Sequence, residues 1–183
     1  MSTPVEAGPL RVPMSLDDYL QLPERPRAEW VDGVALIMNT PPGFAHGHAT
    51  IRLGAQLLRA LPDHRVATEA MLMLPRNRVR LPDLMVVSQA PETDIVVDPP
   101  VLVVEVLSRW TRSEDMIRKS VEYREAGISQ YWLMDPQLRS LEVLVNVDDV
   151  WETALLLDEQ HPTGRVEVAG VPISLDLTEL LPN

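Results

Sequence analysis

The chain has 183 residues, a formal net charge of −11 and no cysteine. That length suits one domain with a sizeable core, and the missing cysteines exclude disulfides and thiolate metal sites. The acidic balance argues against a simple nucleic-acid binder, because phosphate contacts need lysine and arginine.

The charge is unevenly placed. Leu141 to Asn183 holds nine acids and one arginine, whereas Met1 to Ser140 holds 18 acids against 15 bases. The acidity therefore belongs mostly to the C-terminal quarter. No basic-then-apolar pattern opens the chain and its apolar runs are too short to span a bilayer, so the expectation is a soluble, cytoplasmic protein.

Met1 to Pro13, rich in proline and glycine, reads as a loose lead-in to one domain spanning 1–183. Ser15-Leu-Asp-Asp18 predicts a short helix over 15–21, stopped by Pro23. Trp30-Val31 and Val34 to Met38 flank Asp32-Gly33, a two-residue hairpin signal. After the break at Pro41-Pro42-Gly43, residues 45–60 predict a helix, with Leu53, Leu57, Leu58 and Leu61 at helical spacing. Short strands are expected at Arg65–Thr68 and Ala70–Leu74, then a turn at Asn77.

Leu84–Ser88 predicts a strand, and Val101–Leu107 a central one, from its unbroken β-branched and leucine content. Ser113-Glu-Asp opens a helix with two acids where the dipole favours them, and Gly127 closes it. Ile128–Met134 is a further strand. Leu141–Val147 and Val150–Leu157 form an antiparallel pair across Asp148-Asp149, and Arg165–Val168 and Ile173–Leu175 complete the pattern. The order predicts an α+β or α/β domain with a mixed sheet.

Sixteen basic residues include one lysine, Lys119. Arginine-codon bias explains most of that ratio, and it leaves the surviving lysine as a candidate for work that needs a compact ammonium. Lys119 follows Glu105, which interrupts the apolar run Val101-Leu-Val-Val-Glu-Val-Leu107. Upstream, Pro82-Asp83 opens Leu84-Met-Val-Val87. A buried carboxylate is costly unless a cation compensates it, and two carboxylates with an ammonium are the parts of a metal-dependent phosphodiester-cleaving site.

Each part also has a plainer reading. Asp83 alone suits a turn residue before a strand. Glu105 suits a solvated edge, although so apolar a run is unusual there. Lys119, four residues after Asp115 and three before Glu122, suits a helix-surface ion pair. Glu29 reads as a surface residue. Met71 and Met73 read as core or strand. His46 and His48, two apart, do not share a helix face, which argues against a two-histidine zinc motif.

The string Glu29-Trp-Val-Asp-Gly33, then His46, then Arg80-Leu-Pro-Asp-Leu-Met-Val-Val87 resembles one family. So do Val103-Val-Glu-Val-Leu-Ser108, Thr111, Asp115, Lys119, Tyr123, Gly127-Ile and Tyr131-Trp-Leu-Met-Asp-Pro136. The resemblance is to the Uma-type restriction endonucleases of the PD-(D/E)XK nuclease superfamily, over about residues 15–147. It implies a restriction-endonuclease-like core, a mixed sheet flanked by helices. It also implies that Asp83, Glu105 and the Val106 carbonyl hold a divalent metal, Mg²⁺ or Mn²⁺. The superfamily's usual lysine position is Leu107 here, and the resemblance moves that role to Lys119. Glu29 and His46 match further positions near the site.

The expected activity is metal-dependent hydrolysis of DNA, with Lys119 orienting water, stabilising developing charge or acting as a general base, and His46 assisting the leaving group or positioning a neighbouring contact. Two rivals stay open: a nuclease-fold interaction module, favoured by the acidic C-terminal region, and a metal-dependent phosphohydrolase acting on small nucleotides. Cleavage of both strands needs two sites, so a homodimer is a further expectation, with Val150–Leu157 as a candidate surface or as core.

Overall fold

The computed structural model describes residues 8–39, 41–108 and 114–181. In chain order its first elements are β1 (Leu10–Pro13), α1 (Leu16–Leu20), β2 (Ala28–Val31), β3 (Val34–Ile37), α2 (Phe44–Ala60), β4 (Arg65–Ala67) and β5 (Met71–Leu74). A short 3₁₀ turn at Pro75–Asn77 leads to β6 (Arg78–Arg80), β7 (Leu84–Val87), β8 (Ile95–Val96) and β9 (Leu102–Val106). A π-helical stretch, Glu114–Lys119, runs into α3 (Ser120–Glu125). Then come β10 (Gln130–Asp135), β11 (Ser140–Val147), β12 (Val150–Leu157), β13 (Thr163–Val168), β14 (Val171–Asp176) and α4 (Leu177–Leu180). Among these described residues no helix is long and apolar enough to cross a membrane.

Two six-stranded mixed sheets form, ordered β1-β3-β2-β6-β5-β8 and β12-β11-β10-β9-β7-β4, beside the β13–β14 hairpin. In the second sheet β9 runs parallel to β10 and antiparallel to β7. The strands β7, β9 and β10 are buried along their whole length. Burial on both faces is what selects near-continuous apolar sequence in place of alternation.

The two faces of this sheet meet different partners. On one, Leu84, Val86, Leu102, Val104, Val106, Trp132 and Met134 pack with Ala49, Leu53 and Leu57 of α2, and with Val166, Val168, Ile173 and Leu175 of the β13–β14 hairpin. α2 approaches closely because Gly54 has no side chain: a Cβ there would stand 3.1 Å from a Leu84 methyl. On the other face, Met85, Val87, Val103, Leu107, Tyr131 and Leu133 meet Leu72, Leu74, Val96, Tyr123 and Ile128. Glu105 belongs to this second face by strand alternation.

Local rules account for the punctuation. The Ser15 hydroxyl accepts a hydrogen bond from the Asp18 N–H at 3.1 Å and caps α1. Asp32 and Gly33 take φ of 52° and 84°, the left-handed pair that a two-residue hairpin turn requires. Asp148 and Asp149, with φ of 49° and 61°, join β11 to β12 in the same way.

Several expectations change. Leu10–Pro13 is not a loose lead-in but a strand paired with β3, while residues 1–7 lie outside the described residues. The three-residue β6 and two-residue β8 are too short to read from periodicity. Leu58, expected on the core face of α2, points to solvent, because it follows buried Leu57 directly and adjacent helical residues do not share a face. Ser113 and Thr111 lie outside the described residues, as does the Asp115 side chain. In β12, Leu157 is buried in the core while Val150 and Leu156 are exposed.

The helix-facing core sets the first expected outcome. Leu53→Ala should cost about 2–5 kcal/mol, read from urea unfolding as a lower midpoint at unchanged slope.

Candidate active site

Register brings the two acids together. β7 and β9 pair Leu84 with Val104 and Met85 with Val103. One residue further along that ladder, Asp83 falls opposite Glu105. Asp83 is 6 % exposed and Glu105 2 %, so neither is a solvated turn or edge residue. The Val106 N–H donates to Asp83 Oδ2 at 2.7 Å, which ties the Asp83 carboxylate to the end of β9. Its other oxygen, Oδ1, lies 3.1 Å from His46 Nε2 and 3.9 Å from an Arg27 nitrogen.

His46 lies in the first turn of α2 and reaches Asp83 from the helix-covered face. Burial pushes its pKa down, but the Asp83 carboxylate and the Val106 carbonyl outweigh that and leave it raised. His48 instead stacks on exposed Phe44, with ring centres 5.6 Å apart. His46 Nδ1 and Arg27 Nε are buried without a hydrogen-bond partner.

Lys119 ends the π-helical stretch and is 5 % exposed. The wide turn leaves Met116 and Ile117 exposed while Lys119 faces inward. Its ammonium donates to Glu105 Oε1 at 2.9 Å and sits 3.1 Å from Glu29 Oε1. The surface ion-pair reading of Lys119 therefore fails. So does the surface reading of Glu29, which is 2 % exposed on a strand buried at all four positions. The Tyr123 hydroxyl donates to the same Glu105 oxygen at 2.7 Å, and burial followed by the Glu105 charge pushes the phenol pKa well up.

Behind this pair lies Arg80, with no exposed surface. Its guanidinium donates to Glu29 at 2.8 Å, to Glu122 at 2.7 Å and to Glu114 at 2.9 Å. Burial pulls the Arg80 pKa down, but the surrounding carboxylates outweigh it, and the group stays charged. Arg80 thus joins β2, β6, α3 and the π-helical stretch. For Glu29, burial raises the pKa, but Lys119 and Arg80 dominate and bring it from an ordinary 4.5 to about 2.

The motif reading missed Arg80 and Glu122 as members of this network. Arg80 sits two residues from Arg78 on a strand too short to show a pattern, and its partners are 51, 42 and 34 positions away. The one local signal was an arginine beside the buried Pro82-Asp83 corner. Glu122 read as a partner of Lys119 at helical spacing, yet it holds Arg80, and Arg118 at 3.1 Å.

Glu29, Asp83, Glu105, His46, Arg27 and Lys119 all line one cavity of about 510 Å³. Its remaining wall is largely apolar, with Met38, Leu81, Leu107 and Pro136 among the contributors. Asp83, Glu105 and the Val106 carbonyl are hard oxygen donors of the kind Mg²⁺ and Mn²⁺ prefer. The Lys119 ammonium already sets positive charge against Glu105, and His46 Nε2 stands 3.1 Å from Asp83 Oδ1. Among the described residues no three His, Asp or Glu side chains cluster closely enough to enclose an ion. Such a donor set suits a cation that keeps several waters, as Mg²⁺ does.

The family described as Uma2, "Putative restriction endonuclease", matches residues 16–178. The fold is similar to a crystal structure from Anabaena variabilis titled a "putative nuclease belonging to DUF820", with a TM-score of 0.76 and 21% sequence identity, covering 92% of this chain and 98% of that one. No curated protein matches the sequence.

Two outcomes follow from the buried charges. Arg80→Met should destabilise the protein by about 3–5 kcal/mol, because it leaves buried carboxylates uncompensated. Arg76→Met, which loses only an exposed pair with Glu125, should change stability by less than about 1 kcal/mol in the same denaturation assay. The second concerns pH. The folded pKa of Glu29 lies below the unfolded one, so ionised Glu29 adds stability that is full above about pH 4.5 and is lost as pH falls toward 2. Glu29→Gln should flatten that part of the stability–pH curve, measured by thermal unfolding.

Proposed function

The chain belongs to the Uma2 family of restriction-endonuclease relatives, and from that premise we propose that it is a divalent-metal-dependent endonuclease hydrolysing phosphodiester bonds of DNA. The observation that carries this reading is the pairing of two recessed carboxylates on adjacent strands with the chain's one lysine, whose ammonium stands 2.9 Å from Glu105. Burying these charges together is costly, and a binding surface has no need of it.

Asp83, Glu105 and the Val106 carbonyl are the groups that would hold Mg²⁺ or Mn²⁺. When bound, that ion polarises the phosphoryl oxygen and acidifies a water. The protein's own groups do the rest. Lys119 presents its ammonium to the charge that develops on the phosphoryl oxygens, and a fixed donor of that kind needs no reorganisation as the reaction proceeds. Glu29 and Tyr123 fix its geometry, one by holding the ammonium and the other by holding the Glu105 carboxylate. Arg80 in turn holds Glu29. Hydrolysis joins a water oxygen to phosphorus, with that water's proton passing to solvent, and breaks the bond from phosphorus to the leaving alkoxide, which takes up a proton. His46, which lines the cavity with its Nε2 3.1 Å from Asp83, is placed to give that proton.

Purified protein incubated with plasmid and Mg²⁺ or Mn²⁺ should nick or linearise it, and EDTA should stop the reaction. Asp83→Asn and Glu105→Gln should lose cleavage while keeping native circular dichroism. Lys119→Met should lower the rate by roughly 10²–10³, the usual loss for one charge-stabilising donor. Undiminished cleavage by either carboxamide variant, or cleavage in EDTA, would sink this reading.

A further inference from the structure

We propose that Arg27 grips a phosphate of the bound DNA, and that Glu69 is the residue that positions it to do so. This deepens the nuclease reading above and rests on it. Arg27 stands directly before β2 and two residues from Glu29. Strand alternation sends both side chains the same way, and both line the cavity. Its backbone is fixed, because its carbonyl accepts from the Met38 N–H at 2.8 Å. Among the described residues lining the cavity it is the one arginine. Its side chain is 19 % exposed, whereas Arg80 has no exposed surface.

The contacts Arg27 makes do not use up its donors. Nη1 stands 3.0 Å from Glu69 Oε1, and Nη2 donates to the Leu81 carbonyl at 3.3 Å. Asp83 Oδ1 is 3.9 Å from Nη2, beyond hydrogen-bond length, and Nε has no partner. A guanidinium carries more N–H groups than these contacts take, set in a planar fork that matches phosphate.

Glu69 gives the independent observation. Its φ of 52° is left-handed, which costs a residue with a Cβ. Its N–H donates to the carbonyl of Pro82, next to Asp83, at 3.0 Å. The Arg27–Glu69 pair is partly exposed on both sides, and such pairs stabilise little, so stability alone does not offset the strain. What the pair sets is direction. It holds Arg27 in the cavity wall and off Asp83, which leaves that carboxylate open to a metal.

Charge then favours a phosphate. Glu29, Asp83 and Glu105 outnumber Arg27 and Lys119 in the lining by one charge. A divalent ion on Asp83 and Glu105 reverses that balance, and any charge on His46 adds to it. A phosphate seated there meets Arg27 as soon as it binds. A contact already made in the bound substrate lowers KM without raising kcat, which separates Arg27 from Lys119.

The test follows a fluorescently labelled DNA duplex by anisotropy in Ca²⁺, which takes the same oxygen ligands, over a range of salt. Cleavage in Mg²⁺ or Mn²⁺ runs beside it. Arg27→Met should weaken binding roughly tenfold, the scale of one charge-assisted contact. It should lower the slope of log K against log salt by about one unit. In cleavage it should raise KM by a similar factor while kcat stays within about threefold of wild type. Arg27→Lys, which keeps the charge but not the fork, should recover part of the binding. Unchanged binding and slope in Arg27→Met, or a loss confined to kcat, overturns the proposal. Glu69→Gly removes the carboxylate and relieves the left-handed backbone, so it should unfold at the same or a higher temperature yet bind DNA several-fold more weakly. Wild-type binding by Glu69→Gly overturns the role given to Glu69. A wild type that binds DNA but cuts none fails the nuclease reading alone, and the binding arm still decides for Arg27. Where DNA is cut but binding is too weak to measure, KM decides. A wild type that neither binds nor cuts overturns both.

Discussion

The structure depends on how it stabilises carboxylates that it has removed from water. Glu29, Glu105 and Glu122 are each almost wholly buried, and an isolated ionised carboxylate in such surroundings is very costly. Lys119 bridges the first two and Arg80 bridges the first and third. Neither cation works alone: without Glu29, Lys119 would lose a carboxylate partner, and without Arg80, Glu29 would lose a charge-assisted bond that orients it. Charge-assisted bonds of this kind are stronger than neutral ones and fix geometry as well as energy. The chain Arg80–Glu29–Lys119–Glu105 therefore works as one unit, and it ties the first sheet to the second through the π-helical stretch.

Sheet register turns that unit into a site. The β7–β9 pairing aligns Asp83 with Glu105, and a slip of one residue would send Glu105 to the face covered by α2. There it would meet Val86, Trp132 and Leu53 in place of Lys119. Apolar packing on both faces makes such a slip expensive, so the core that stabilises the fold also sets the placement of the acids. The π-helical stretch adds the last adjustment, because it ends on Lys119 with that side chain turned inward.

Much of this was readable along the chain. The helix over Phe44–Ala60, the hairpin at Asp32-Gly33, the buried strand around Glu105 and the β11–β12 pair all follow local rules of periodicity or turn chemistry. Asp83, Glu105 and Lys119 stood out because their polarity conflicts with apolar surroundings or because lysine is otherwise absent. What escaped was whatever has no local signature. Leu10–Pro13 becomes a strand only because β3 is there to pair with it. Glu29 looked like a surface residue because alternation cannot tell a solvated face from one covered by a distant helix.

The sequence by itself determined the parts list: a mixed α/β pattern, two acids in apolar strands and one lysine on the helix that follows. Hydrophobic periodicity and turn preferences act over a few residues, so these features can be read a few residues at a time. Tertiary structure alone decided which charges meet. The partners of Arg80 lie 51, 42 and 34 positions away, and electrostatic pairing is set by distance through space and by burial, neither of which is encoded at any one position. The recess around the site is likewise a property of packed layers, formed where β2, α2, β9, the π-helical stretch and the segment leading into β7 converge.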